Sequence, residues 1–175
     1  MALFVYLFVA VNNLLLSKYF PVSYNGIKTY FEEVYPEVFN ENICVLAVDS
    51  LRTFYEIIPI LHRQANRVNG IFPTKYYDDV YKMIHTDTKE ASFTDLDLLQ
   101  SVIDVKKFYA SNWAKCDEIM QGKLKLIPSE ESVELFKQDY ESMKNMLFGG
   151  KTPFDTIISA IKKYEKELNG AIQTR

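Results

Sequence analysis

The 175-residue chain has two cysteines, two histidines and one tryptophan. Cys44 and Cys116 are too few for a disulfide scaffold, and their spacing matches no zinc pattern. They read as small buried hydrophobes in a reducing compartment, so the expected location is cytoplasmic. Six glycines and six prolines leave little room for long irregular stretches. An excess of one charge is also missing: 20 basic residues face 23 acidic ones, for a net charge of −3. That excludes a protein holding duplex DNA by charge alone. The chain has no P-loop, dinucleotide fingerprint, His-Glu-x-x-His pair or nucleophile elbow, and no internal repeat.

Apolar residues make up 48% of the chain, with 12 Tyr and 12 Phe. A chain this long buries roughly two thirds of its unfolded surface, enough for a core without staples. The run from Met1 to Val11 is unbroken and apolar, Asn12-Asn13 interrupts it, and Leu14 to Leu16 follow. A spanning helix needs about 18 to 20 apolar residues, which disfavours a membrane role. No Lys or Arg precedes Lys18, against a secretory signal. Val, Phe and Tyr in the run suggest a strand-like segment over residues 1–20, with one domain over 21–175.

The sequence beyond it predicts mostly helix. Pro21 to Gly26 reads as a loop, Ile27 to Val34 as a short helix and Asn42 to Val48 as a strand. Asp49 or Ser50 caps a helix with Phe54, Ile57, Ile58, Leu61, Ala65 and Val68 on one face, Pro59 as a kink and Asn69-Gly70 as its stop. Tyr76 to His85 is a further helix, and Thr86 to Phe93 a polar loop. Thr94 with Asp97 predicts a capping pair for a helix through Trp113, with Leu99, Val102, Val105 or Lys106, Tyr109 and Trp113 inward. Gly122 opens an extended piece with Leu124 and Leu126 on one side and Lys123 and Lys125 on the other. Ser129 caps a helix striped by Val133, Phe136, Tyr140, Met143 and Leu147. Thr152-Pro153-Phe154-Asp155 starts a last helix that Gly170 closes, with Phe154, Ile157, Ile161, Tyr164 and Leu168 inward. The expected fold class is α+β, mostly helical, with a helical bundle on a small, partial sheet.

Few residues point to chemistry. His62 reads as a partly exposed structural histidine, and His85 ends a helix, where a cation suits the dipole. Asp78 and Asp79 are adjacent on a helix and point about 100° apart, poor geometry for a metal, and read as solvated acids. Arg52, His62, Arg63, Arg67, Lys75 and Lys82 are basic or titratable groups on neighbouring helices that could frame an anion such as phosphate.

Thr53-Phe54-Tyr55-Glu56, Ile60-Leu61-His62, Tyr77 with Asp79-Val80-Tyr81-Lys82-Met83, then Lys106, Phe108 and Trp113 come in a recognisable order. Gly122 to Pro128, the stretch from Asp139 to Ile158 and the Lys163 to Asn169 ending complete the string. From Pro21 to Ala171 it resembles the C-terminal half of the AbiEii-type nucleotidyltransferase family, toxins of type IV toxin–antitoxin and abortive-infection systems. The resemblance implies Mg²⁺ and a nucleoside triphosphate for the complete family, with strand carboxylates holding the metal. It implies Glu56, His62 and Asp79, with Lys75 in the place of a family arginine, as candidate nucleotide-binding residues, and Lys82 of the basic set joins them.

The family's glycine-rich segment and strand Asp-x-Asp pair have no counterpart here, and Ile57 stands where the family has a lysine. The family's Arg-x-Ser-Arg-His-Tyr-Tyr-Asp segment is shortened to Pro73 to Asp79. The expectation is a chain with no cofactor of its own and no catalysis alone. Its expected partner is a cognate antitoxin or a chain supplying the missing half. The alternative is a non-catalytic interaction module or truncated remnant.

Overall fold

The computed structural model describes residues 22–27, 43–66, 74–109, 115–143 and 152–175. The chain divides into two compact units, Met1–Arg52 and Thr53–Arg175. In the first, β1 (Val22–Ile27) pairs antiparallel with β2 (Ile43–Val48), with Val22 opposite Val48 and Ile27 opposite Ile43. β1 occupies the stretch expected to be a loop. Its Val-Ser-Tyr start has β-propensity that Pro21 and Gly26 obscure. Ile27, expected to open a helix through Val34, instead ends β1; the rest of that expected helix, the apolar segment 1–20, Trp113 and Leu147 lie outside the described residues.

The described part of the protein is mostly helical, with seven helices. These are α1 (Ser50–Ala65), α2 (Lys75–Met83), α3 (Thr88–Thr94), α4 (Leu96–Tyr109), α5 (Cys116–Ile119), α6 (Glu130–Ser142) and α7 (Phe154–Gln173). Among the described residues, no helix is long and apolar enough to cross a membrane.

α1 and α4 start at a side-chain acceptor, whereas Ser129 holds the cap position of α6 without a side-chain cap bond, its hydroxyl meeting that of Ser132. The Asp49 carboxylate accepts the Leu51 amide at 2.8 Å and caps α1. Pro59 lies inside α1, which continues past it to Ala65. Phe54, Ile57, Ile58, Leu61 and Ala65 are all buried, as the 3.6-residue period requires. In α7 the expected Phe154, Ile157, Ile161, Tyr164 and Leu168 are buried, and Ile172 joins them. Aromatic edges tie the helices together. The Phe54 ring meets Tyr164 edge-on at 5.5 Å, and Tyr77 meets Phe136 at 5.6 Å and Phe154 at 5.9 Å.

Three boundaries differ from expectation. The polar stretch Thr86 to Phe93 is largely α3, which packs on α7. It buries Thr88 and Ser92 rather than an apolar stripe. Its inward face is polar because the Tyr55 hydroxyl donates to the Ser92 carbonyl at 2.8 Å and the Tyr164 hydroxyl to Ser92 Oγ at 2.8 Å. Asp95, not Thr94, caps α4, its carboxylate accepting the Leu98 amide at 3.1 Å. The Thr94 hydroxyl instead donates back to the Ala91 carbonyl. Pro153 occupies the cap position of α7, one residue later than expected, and the helix runs through Gly170 to Gln173.

Candidate functional site

Residues 122–128 form a strap on which side chains from three helices, α1, α2 and α7, converge. Gly122 begins it at φ +68°, a left-handed conformation that suits glycine. Leu124 and Leu126 are buried while Lys123 and Lys125 face solvent, the alternation read from the sequence. The amides of Gly122 and Lys123 bond back to the Ile119 and Glu118 carbonyls, and beyond them the strap is held by side chains. Asn169 brackets Leu124, accepting its amide at 2.8 Å and donating to its carbonyl at 2.9 Å. Glu165 accepts the amides of Leu126 and Ile127. The Tyr77 hydroxyl donates to the Leu126 carbonyl at 2.9 Å. Burial raises the Tyr77 pKa, with the Glu165 charge adding to it, so the hydroxyl stays a donor.

His62 supplies the fourth anchor. It is fully buried, not partly exposed. Its Nδ1 accepts the Lys125 amide at 3.0 Å, so that nitrogen carries no proton. Nε2–H therefore donates to the Lys115 carbonyl at 3.1 Å. Both ring nitrogens are used within the fold, and burial lowers the His62 pKa despite the nearby Glu118 charge. Lys115 holds φ at +79°, the left-handed conformation that aims this carbonyl. His62 is thus a clamp, with no nitrogen left for a ligand.

The remaining candidates lie elsewhere. Lys106 forms an ion pair with Glu56 across α1 and α4. Lys75, Asp79 and Lys82 follow one another along α2 at i, i+4 and i+7, one face of the helix. The Lys75 ammonium lies over the Tyr76 ring at 5.0 Å. Asp79 is exposed as a residue, yet its carboxyl is held above the usual range by partial desolvation and then by Asp78. Lys82 reaches back to Asp78 at 2.7 Å. Asp78 itself is buried, contrary to the solvated acid expected, because the Tyr140 hydroxyl also donates to it at 3.1 Å. Burial, and then Asp78, push the Tyr140 hydroxyl up to about 12. Of the wider basic set, Arg52 is buried, Arg63 is half-buried and Arg67 lies outside the described residues.

The structure therefore gathers Lys75, Asp79 and Lys82 on one stripe and separates them in role from Glu56 and His62. Among the described residues, no three of His, Cys, Asp and Glu come together so as to hold a metal ion. Cys116 is buried, and that burial raises its pKa, so its thiol is a poor nucleophile. Tyr77, Glu165 and Asn169, which fasten the strap, carry no catalytic or ligand-binding motif in the sequence. Their signal was the short polar intrusion they make into apolar stripes. No protein-family model, curated protein or solved structure matches this chain.

Proposed function

We propose that this chain is the helical, non-catalytic portion of a nucleotidyltransferase toxin of the AbiEii type, docking on an antitoxin or on a chain that supplies the metal-binding half. The observation that carries the reading is the strap. The strings Ile60-Leu61-His62, Tyr77, Gly122 to Pro128 and Lys163 to Asn169, quoted separately for the resemblance, meet at one place through His62, Tyr77, Glu165 and Asn169. Segments with a shared scaffold role are expected to persist together in a family's helical half. On the stripe of Lys75, Asp79 and Lys82, the solvent-facing Lys75 is the cation a triphosphate would meet.

The test has two arms. Purified chain incubated with labelled nucleoside triphosphates and Mg²⁺ should transfer no label, and robust Mg²⁺-dependent labelling would overturn the non-catalytic reading. A fluorescent ATP analogue should bind, and Lys75→Ala should weaken it about fivefold, the worth of roughly 1 kcal/mol for an exposed charge contact. Equal affinity in the variant removes the nucleotide-contact role. A second reading, a free-standing interaction module, draws on Phe108, which is 84% exposed near the end of α4.

A further inference from the structure

We propose that the cleft between the C-terminal turn of α2, α3 and the middle of α7 binds a phosphate group, free or as a phosphomonoester. The cleft encloses about 190 Å³ and is lined by Ile84, His85, Lys89, Lys163, Tyr164 and Glu167 with Ala160. That is several times the roughly 30 Å³ share of one water, and below the about 300 Å³ at which drug-sized pockets begin. It suits a small anion rather than a whole triphosphate.

Its charges favour an anion. Lys89 and Lys163 share the single carboxylate of Glu167, at 2.8 Å and 3.9 Å. One negative charge against two positive ones leaves the cleft net cationic. The Lys163 contact is at the outer edge of an ion pair, and its side chain is 77% exposed, so the ammonium can turn to a second anion at little cost. The Lys89 ammonium also lies over the Phe93 ring, 5.8 Å from its centre.

His85 adds a directed polar atom. Its Nδ1–H donates to the Tyr81 carbonyl at 2.7 Å, and its ring lies 4.5 Å from that of Tyr81. The fixed tautomer leaves Nε2 uncommitted. That nitrogen accepts a hydrogen bond from the P–O–H of a hydrogen phosphate. The C-terminal end of α2 would ordinarily repel an anion here. Each of its last carbonyls is already covered, however. Val80 accepts from the Ile84 amide, Tyr81 from His85 Nδ1, Lys82 from the His85 amide, and Met83 from the Thr86 amide and hydroxyl. The Tyr164 hydroxyl is turned to Ser92 and contributes only its ring as a wall.

This site does not depend on the nucleotidyltransferase reading. It is tested by calorimetric titration of the full chain with inorganic phosphate and, separately, with adenosine 5′-monophosphate, at constant ionic strength against chloride. Phosphate is expected to bind with Kd on the order of 1 mM. Tighter binding of the monophosphate would identify a phosphomonoester as the ligand, and equal binding would identify free phosphate. Lys163→Ala should weaken both at least fivefold. Glu167→Gln should tighten both, because it removes the competing carboxylate while keeping the shape of the side chain. Lys123→Ala carries the same change of net charge on the strap and should leave binding as it was. Absence of phosphate binding, or equal losses in the Lys163 and Lys123 variants, overturns the proposal.

Discussion

Replacing His62 by leucine removes both hydrogen bonds of the clamp while keeping a buried side chain of similar bulk. The Lys125 amide and the Lys115 carbonyl lose their partners. At about 1 to 1.5 kcal/mol for each group left without a bond, the loss is about 2 to 3 kcal/mol. Against a typical domain stability of about 5 to 15 kcal/mol, that is a large fraction. The second consequence concerns acid. Burial holds the His62 pKa below its ordinary value of 6.5 in the folded chain. The unfolded chain then binds the proton more strongly, so the clamp contributes fully above about pH 6.5 and its contribution declines as pH falls below that value. The decline has a ceiling of about 1.4 kcal/mol per pH unit until the folded value is reached. Charging the ring also sets an N–H against the Lys125 amide, donor facing donor. Urea unfolding followed by far-UV circular dichroism, from about pH 8 to about pH 5, measures both effects. The leucine variant should be less stable at the alkaline end and lose less on acidification. Parallel pH profiles for the two proteins would refute the clamp, whatever their offset.

The other expectations concern the same strap. Gly122→Ala should cost about 1 to 2 kcal/mol in urea unfolding, because φ is +68° and a Cβ would come within 2.5 Å of Gln173 Cγ. A stability unchanged by that substitution would contradict the left-handed turn. Lys115→Gly should raise stability by up to about 1 kcal/mol, since a side chain at φ +79° is strained and its carbonyl, not its side chain, serves His62. A clear loss of stability would show that the lysine side chain carries more than the turn does.

Periodicity made the apolar framework legible. The stripes of α1 and α7 and the alternation of Leu124 and Leu126 are all where a 3.6 or 2.0 repeat puts them. What escaped was everything held by polar contacts between distant segments. α3 turns Thr88 and Ser92 inward, so it lacks the apolar signature of a helix, and its reason for existing lies in Tyr55 and Tyr164. The cap of α4 falls one residue beyond Thr94 because both Thr94 and Asp95 are competent, and only the end of α3 decides between them. Among the candidate residues, the i, i+4, i+7 spacing of Lys75, Asp79 and Lys82 was visible in the chain. The burial of His62 was not, because Lys115 and Lys125 are separated from it by most of the intervening fold. The convergence of His85, Lys89 and Lys163 likewise has no local pattern.

In residues 122–128 the amides that another strand would need are already spent. Imidazole, carboxamide and carboxylate side chains hold the amides of Leu124, Lys125, Leu126 and Ile127. Two outward lysines further discourage a second copy from lining up beside it. The same side chains that position this stretch therefore also insulate it from self-association. A lesion at Asn169 or Glu165 would show itself in turbidity and fibril-dye binding as well as in unfolding.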